Sequence, residues 1–264
     1  MPTPIALRAW PSPRRRTRRV RRCRVPDPGH VFGGLLVGQA VMAANETVAE
    51  DRLPCSVHAS FLSSGRGGEP IRYEVERTRD GASFGTRRVV VRQDHACRPG
   101  GDDRLPRRRG RRGVFPTRPD RPSARSGAVP DGSLRLAVVP LPRRSARSEP
   151  IALAHTRCSW FEPRQPADGP MPFHLAAIAY VSDHGPTRAA REPHTGLHTD
   201  GARMSVSLDH SVWLHRPARI DQWLLLELAP VATGHARGLA MGHLWTRSGE
   251  LVATIAQEVL LRTL

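Results

Sequence analysis

Two stretches of this chain, about 150 residues apart, run in the same order: an apolar helix signal, an extended run, then a hairpin signal. In the first, residues 31–49 (VFGGLLVGQAVMAANETVA) place Val37, Val41, Ala44 and Val48 at helical spacing beside a second stripe of Phe32, Leu36, Ala40 and Ala43. Such a wide face of small apolar residues predicts a helix buried on most sides. Residues 56–62 (SVHASFL) then alternate weakly, and the runs 71–78 and 83–93 flank Asp80-Gly81, a strong hairpin signal. In the second stretch, residues 171–183 are a short apolar helix, 205–217 (SVSLDHSVWLHRP) are extended, and 222–231 with 236–246 form the next pair of strands. A turn at 247–249 leads into a last long strand that runs to residue 264. HASFL at 58–62 echoes HSVWL at 210–214, and TRRVVV at 86–91 echoes ARGLAM at 236–241. The repeated order predicts duplicated α+β units, each an antiparallel sheet against one helix. No counterpart of the last strand follows Gln93, so the first unit is expected to be incomplete.

A length of 264 residues suits either one large domain or two fused small ones. The formal charge of +17 invites a nucleic-acid reading, but its distribution argues otherwise. Residues 1–24 carry +9 and residues 97–150 another +9, leaving the rest of the chain at −1. Both basic segments are rich in Arg, Pro and Gly and have no helix or strand period, which predicts disorder. The chain has no Lys and a single Asn, Asn45, a bias typical of a GC-rich gene. Reading such a gene from the wrong start or in the wrong frame yields this composition. The alternatives are a transit-like or nucleic-acid-binding N-terminus and a genuine disordered insert. The expected organisation is a basic segment at 1–29, a partial unit at 30–93, an Arg/Pro-rich linker at 94–160 and a second unit at 161–264. Residues 97–150 contain one Phe and neither Tyr nor Trp, so stacking on bases is not expected. Cys23, Cys55, Cys97 and Cys158 are far apart with no C-x-x-C spacing, which fits a reducing cytoplasm better than a disulfide framework. No apolar run is long enough to span a membrane, and no metal-ligand spacing occurs among the twelve histidines.

Three polar residues stand out from their surroundings. Gln257 is alone on a strand face otherwise made by Leu251, Ala253, Ile255, Val259 and Leu261. Its buried amide needs partners, since an unsatisfied one costs roughly 1–3 kcal/mol. Asp183 ends an apolar helix, where the macrodipole disfavours an acid. Ser207 alternates with Val206 and Leu208 and so faces away from them. Each also has an ordinary reading: a structural Gln, a helix-exit turn and a solvent-facing strand Ser. Asp209 beside His210 has the look of an acid–base dyad. No G-x-S-x-G elbow surrounds any serine, so a strained nucleophile is not supported. The two glycines that open the first helix could let its N–H groups approach a ligand, or simply loosen the helix entry.

The strings HVFGGLLVGQAV, RTRDGASFGTRRVVVRQ, YVSD, SLDHSVWLHRP, ARG and GELVATIAQEVLLR together resemble the type II (TesB-like) acyl-CoA thioesterases, over residues 30–93 and 171–264. The resemblance implies a double hotdog: α+β, with two antiparallel sheets each wrapped around a central helix. It implies hydrolysis of acyl-CoA to free acid and CoA, no cofactor or metal, a cytoplasmic homo-oligomer, and no specific nucleic-acid or membrane partner. By motif it places an active-site acid, hydroxyl and amide at Asp183, Ser207 and Gln257, and leaves Asp209, His210, Trp213 and His215 to hold strand and hairpin. Leu35 stands where the family usually has Gln, and His184 where an apolar residue is usual. The rival readings are an inactive hotdog protein from a disrupted frame and a basic nucleic-acid binder. A hotdog hydratase would need an Asp and a His five residues apart in a G-D-x-N-P-like loop, and no such loop occurs.

Overall fold

The computed structural model describes residues 19–24, 29–93, 115–119, 136–140, 156–163, 166–194 and 203–263. The first half comprises β1 (Arg19–Arg24), α1 (Gly33–Asn45), β2 (Arg52–Pro54), β3 (Ser56–Ser60), β4 (Pro70–Asp80), β5 (Gly85–Gln93) and β6 (Phe115–Pro119). The second comprises β7 (Leu136–Pro140), β8 (Arg157–Pro163), α2 (Met171–Val181), α3 (Pro186–Arg191), β9 (Arg203–Ser207), β10 (Asp209–Leu214), β11 (Leu224–Gly234), β12 (Arg237–Thr246) and β13 (Leu251–Thr263).

Strand order exposes the duplication. The first sheet runs β1-β4-β5-β6-β2, and the second runs β8-β11-β12-β13, with both β9 and β10 on the far side of β13. In each half the second extended segment is split in two. β2 closes its own sheet, while β3 crosses over and pairs antiparallel with β10, Val57 opposite Val212. The second sheet thereby gains a strand of the first unit at one edge and β7 at the other.

The two basic segments enter the sheets at three places that composition does not show. β1 lies in the segment 1–29 and pairs with β4, Arg19 opposite Val75 through Arg24 opposite Pro70. β6 and β7 lie in the segment 94–160; β6 joins β5 to β2, and β7 pairs with β8. The strand missing after Gln93 is therefore supplied by Phe115–Pro119, five residues against the thirteen of β13. Ladder hydrogen bonds come from the backbone, so a short strand can form without an apolar alternation to announce it. The rest of 97–150 lies outside the described residues.

α1 and α2 pack directly against each other. Gly34 and Gly38, one turn apart on α1, permit the approach: a Cβ on Gly34 would lie 2.3 Å from the Tyr180 carbonyl oxygen, and one on Gly38 2.9 Å from that of Ala176. α2 is largely apolar and enclosed through its middle, with Ala176, Ala177, Ile178 and Ala179 at 0% exposure. Enclosing a side chain such as Ile178 contributes about 1.5–3 kcal/mol. Around the helices lie Val57, Ile71, Tyr73, Val212, Leu226, Leu244 and Ile255, from both sheets. Asp80-Gly81 does form the β4–β5 turn, closed by the Gly81 N–H donating to the Phe84 carbonyl at 2.9 Å. The β11–β12 hairpin uses a two-residue turn with His235 at φ 49° and Ala236 at φ 59°, the type I′ geometry that matches strand twist.

Candidate active site

α1 begins without a side-chain cap and without an acid in its first turn. Its first N–H groups therefore need acceptors from elsewhere. Asp183, two residues past the end of α2, is placed to provide one: its carboxyl lies at this helix start, where the Gly34 N–H helps to hold its pKa down. A Cβ on Gly33 would lie 2.8 Å from Asp183 Oδ2. An acid that looks misplaced at the C-terminal end of its own helix is thus placed at the N-terminal end of the other, where the macrodipole favours it. The carboxyl is 7% exposed, and burial raises its pKa to about 7. The Gly34 N–H and the Gln257 amide, which also reaches it, pull the other way but less strongly. Among the described residues Asp183 Oδ1 is buried with no hydrogen-bond partner.

Gln257 projects inward from β13 with 0% exposure. Its Nε2 donates to Ser207 Oγ at 2.7 Å and reaches Thr187 Oγ1 of α3 at 3.4 Å. Asp183, Ser207 and Gln257 are thus brought together, with the amide bonded to the hydroxyl and near enough to the carboxyl to lower its pKa. Behind the amide stands His210, also 0% exposed, whose Nδ1 is 2.6 Å from Gln257 Oε1 and whose Nε2 is 2.8 Å from Ser182 Oγ. Burial lowers the His210 pKa to about 4, so the ring is neutral near pH 7.

Ser207 and His210 meet the same amide because of a β-bulge. Ser207 lies opposite Val259 on β13, and Ser211 opposite Ala256. Four steps on one strand thus match three on the other, and the extra residue turns two side chains three positions apart to the same side. Asp209 faces elsewhere, its Oδ1 accepting the Glu258 N–H at 2.8 Å, so the Asp209–His210 dyad does not form. Trp213, 38% exposed, packs edge-on against His58, and His215 bonds Thr254 at 2.8 Å, both away from the buried site. His184 packs edge-on against Phe161, its pKa lowered by burial. Leu35 packs against the core without a polar role, and the buried amide of α1 is Gln39, bonded to the Tyr73 hydroxyl at 2.5 Å. The contributions of His210, Ser182 and Thr187 were not legible from spacing: period two puts residues 207 and 210 on opposite faces.

No group of three or more His, Cys, Asp or Glu able to hold a metal occurs among the described residues. No described helix is long and apolar enough to cross a membrane.

Two helices, each covered by an antiparallel sheet of matching strand order, with a carboxyl, an amide and a hydroxyl at their meeting point, define a double hotdog protein. A protein with a hot dog fold from Alicyclobacillus acidocaldarius superposes with a TM-score of 0.59 over 88% of both chains at 16% identity. The acyl-CoA thioesterase II TesB2 from Mycobacterium marinum superposes with a TM-score of 0.71, at 29% identity over 93% of this chain and 92% of its own. A family profile described as "Acyl-CoA thioesterase N-terminal domain" matches residues 14–99, and one described as "Acyl-CoA thioesterase C-terminal domain" matches residues 113–261. Both extend beyond the motif-bearing stretches into the basic segments. Acyl-coenzyme A thioesterase 8 of Rattus norvegicus is 34% identical over 265 residues, covering 90% of this chain and 82% of the rat protein. The chain belongs to the TesB-like acyl-CoA thioesterase family, and it is a thioester hydrolase.

Proposed function

We propose that the protein hydrolyses acyl-CoA to free acid and CoA with a water held between Asp183, Ser207 and Gln257. The observation that carries this reading is the Gln257 amide, buried completely and bonded to the Ser207 hydroxyl at 2.7 Å while it lies near enough to the Asp183 carboxyl to lower its pKa. A thioester needs little more. Its carbonyl is a good electrophile, and its leaving thiol, with a pKa of about 8.5 if it resembles Cys, departs as thiolate without a strong general acid. Asp183 Oδ1 is the acceptor for the water's proton, and a base with a pKa of about 7 is well matched to that task. Ser207 both donates and accepts, so it orients the water, while the amide of Gln257 has no basicity and only positions. The water oxygen bonds to the carbonyl carbon as its proton passes to Asp183. The carbon–sulfur bond then breaks with its electron pair going to sulfur, and the proton returns from Asp183 to the thiolate. The positive end of α1 favours the developing oxyanion.

In this reading the site belongs to both units: α1 comes from the first, and Asp183, Ser207 and Gln257 from the second. The enzyme acts in the cytoplasm as a homo-oligomer. Release of CoA thiol from a panel of acyl-CoA esters tests the proposal, with Gln257→Ala beside the parent protein. Turnover that Gln257→Ala lowers by about tenfold or more supports it. A folded Gln257→Ala variant with undiminished kcat would remove the amide from the mechanism.

A further inference from the structure

We infer that His210, backed by Ser182, is a positioning residue that holds the Gln257 amide in the one orientation that serves the site. The inference rests on the reading of Asp183, Ser207 and Gln257 as the water-holding group. An amide side chain has two faces that differ only in which end is O and which is N, and rotation by half a turn exchanges a donor for an acceptor. At Gln257 the exchange matters. Nε2 now donates to Ser207 and reaches Asp183. With the amide reversed, Oε1 would face the carboxylate, and neither the Ser207 oxygen nor the water would receive a hydrogen bond from it.

The neighbourhood on the other side decides the orientation. Gln257 Oε1 can only accept, so the contact of 2.6 Å to His210 Nδ1 requires the proton on Nδ1. The neutral ring then has a bare Nε2, which accepts the Ser182 hydroxyl at 2.8 Å. The single Ser182 proton is shared between this nitrogen and the Ala179 carbonyl, 2.9 Å away in the last turn of α2, which also fixes the hydroxyl in place. The chain Ser182 → His210 → Gln257 → Ser207 therefore runs in one direction, each member donating to the next. It joins the end of α2 to β10, β13 and β9, and it depends on the bulge that brings His210 to the inner side. All of Ser182, His210 and Gln257 are at 0% exposure, so no solvent competes for these bonds. A residue kept only to fill space at this position needs no donor, and this distinguishes the two roles.

The test compares His210→Leu, which keeps roughly the volume and removes the donor, with His210→Asn, whose amide N–H takes the place of Nδ1–H. Alongside are Gln257→Ala and the double variant His210→Leu/Gln257→Ala, all assayed for kcat and KM in CoA release from one acyl-CoA ester. His210→Leu should lower kcat by about tenfold to a hundredfold with little change in KM, since a loosened orienting group costs turnover rather than binding. His210→Asn should recover most of that loss, and His210→Leu should do no further harm once the amide is gone. A folded His210→Leu with parental kcat, an equal loss in His210→Asn, or additive losses in the double variant each overturn the inference. Gln257→Ala with parental kcat would instead overturn the site reading beneath it. Should His210→Leu not fold, Ser182→Ala carries the test: it deletes a single hydroxyl, and a severalfold fall in kcat at constant KM is expected, with unchanged kcat refuting the relay.

Discussion

Asp183→Asn should trade activity for stability, and the exchange should depend on pH in a defined direction. In the folded protein burial raises the Asp183 pKa from 3.8 to about 7. The folded state thus binds the proton more tightly than the unfolded chain does. The stability associated with this group is full below about pH 4 and is lost as pH rises to about 7. A shift of about three units at 1.36 kcal/mol each amounts to about 4 kcal/mol against the fold at pH 8 and above, and to about 2 kcal/mol near pH 5.5. Asparagine keeps the shape and never ionises, so Asp183→Asn should be more stable than the parent by up to about 4 kcal/mol near pH 8.5, with about half that advantage near pH 5.5. It should also lose about 10²–10⁴ in kcat, because the group that takes the water's proton is gone. Urea unfolding at the two pH values measures the first effect, and CoA release the second. A variant less stable than the parent at alkaline pH, or a stability difference that does not change with pH, would show that Asp183 is not a desolvated carboxylate. Near-normal kcat would show that it is not the base.

Other expectations follow from the same geometry. Log kcat/KM should rise with pH and level off above about 7, where Asp183 is ionised; a flat profile from about pH 5 to 8 would exclude it as the base. Ser207→Thr should keep most of kcat and Ser207→Ala should not, as measured by CoA release, since only the hydroxyl orients the water. Gly34→Ala should destabilise by about 1–3 kcal/mol or more in urea unfolding, because its Cβ would meet the Tyr180 carbonyl at 2.3 Å and force α1 from α2. Ala236→Gly should stabilise by about 1 kcal/mol in thermal unfolding, by relieving a left-handed alanine at φ 59°.

What could be read from the chain beforehand divides along physical lines. The helices announce themselves because a buried helix must carry apolar residues at 3.6-residue spacing, as Val37, Val41 and Ala44 do. The β4–β5 turn is legible because Asp-Gly between two extended runs is a strong hairpin signal. Gln257 is legible because a polar group on an apolar strand face needs a partner. By contrast, β1 and β6 leave no trace in the pattern, and β7 is only a five-residue apolar run inside an Arg/Pro-rich segment. Their pairing is made by backbone groups, and β6 forms its ladder although two of its five residues are prolines without an N–H. The hairpin turn at His235-Ala236 is also silent, because neither residue is a usual occupant of the left-handed region. His210 is visible beside Asp209, but its pairing with Gln257 is not. Adjacent residues on a strand point apart, so Asp209 and His210 could not pair, and only a bulge, which has no signal here, could turn the imidazole toward Gln257.

Asp183 shows why the duplication matters for the chemistry. At the end of α2 alone, a buried acid faces a negative helix terminus and a carboxylate there has little reason to persist. Packing α1 against α2 through Gly34 and Gly38 moves a positive terminus onto it. The resulting environment is divided: burial raises the pKa while the Gly34 N–H and the Gln257 amide hold the ionised form within reach. The second unit alone supplies the Gln257 amide but not the Gly34 N–H, which comes with α1. The first unit therefore contributes through its helix rather than through its sheet, and a fifth strand of five residues where the second unit has thirteen leaves that contribution intact. The same division explains the placement of the hydroxyl and the amide. They need only the second sheet, since β9, β10 and β13 are neighbours in it, and the bulge between Ser207 and His210 lets one amide be gripped from behind while it serves the carboxyl and the hydroxyl in front.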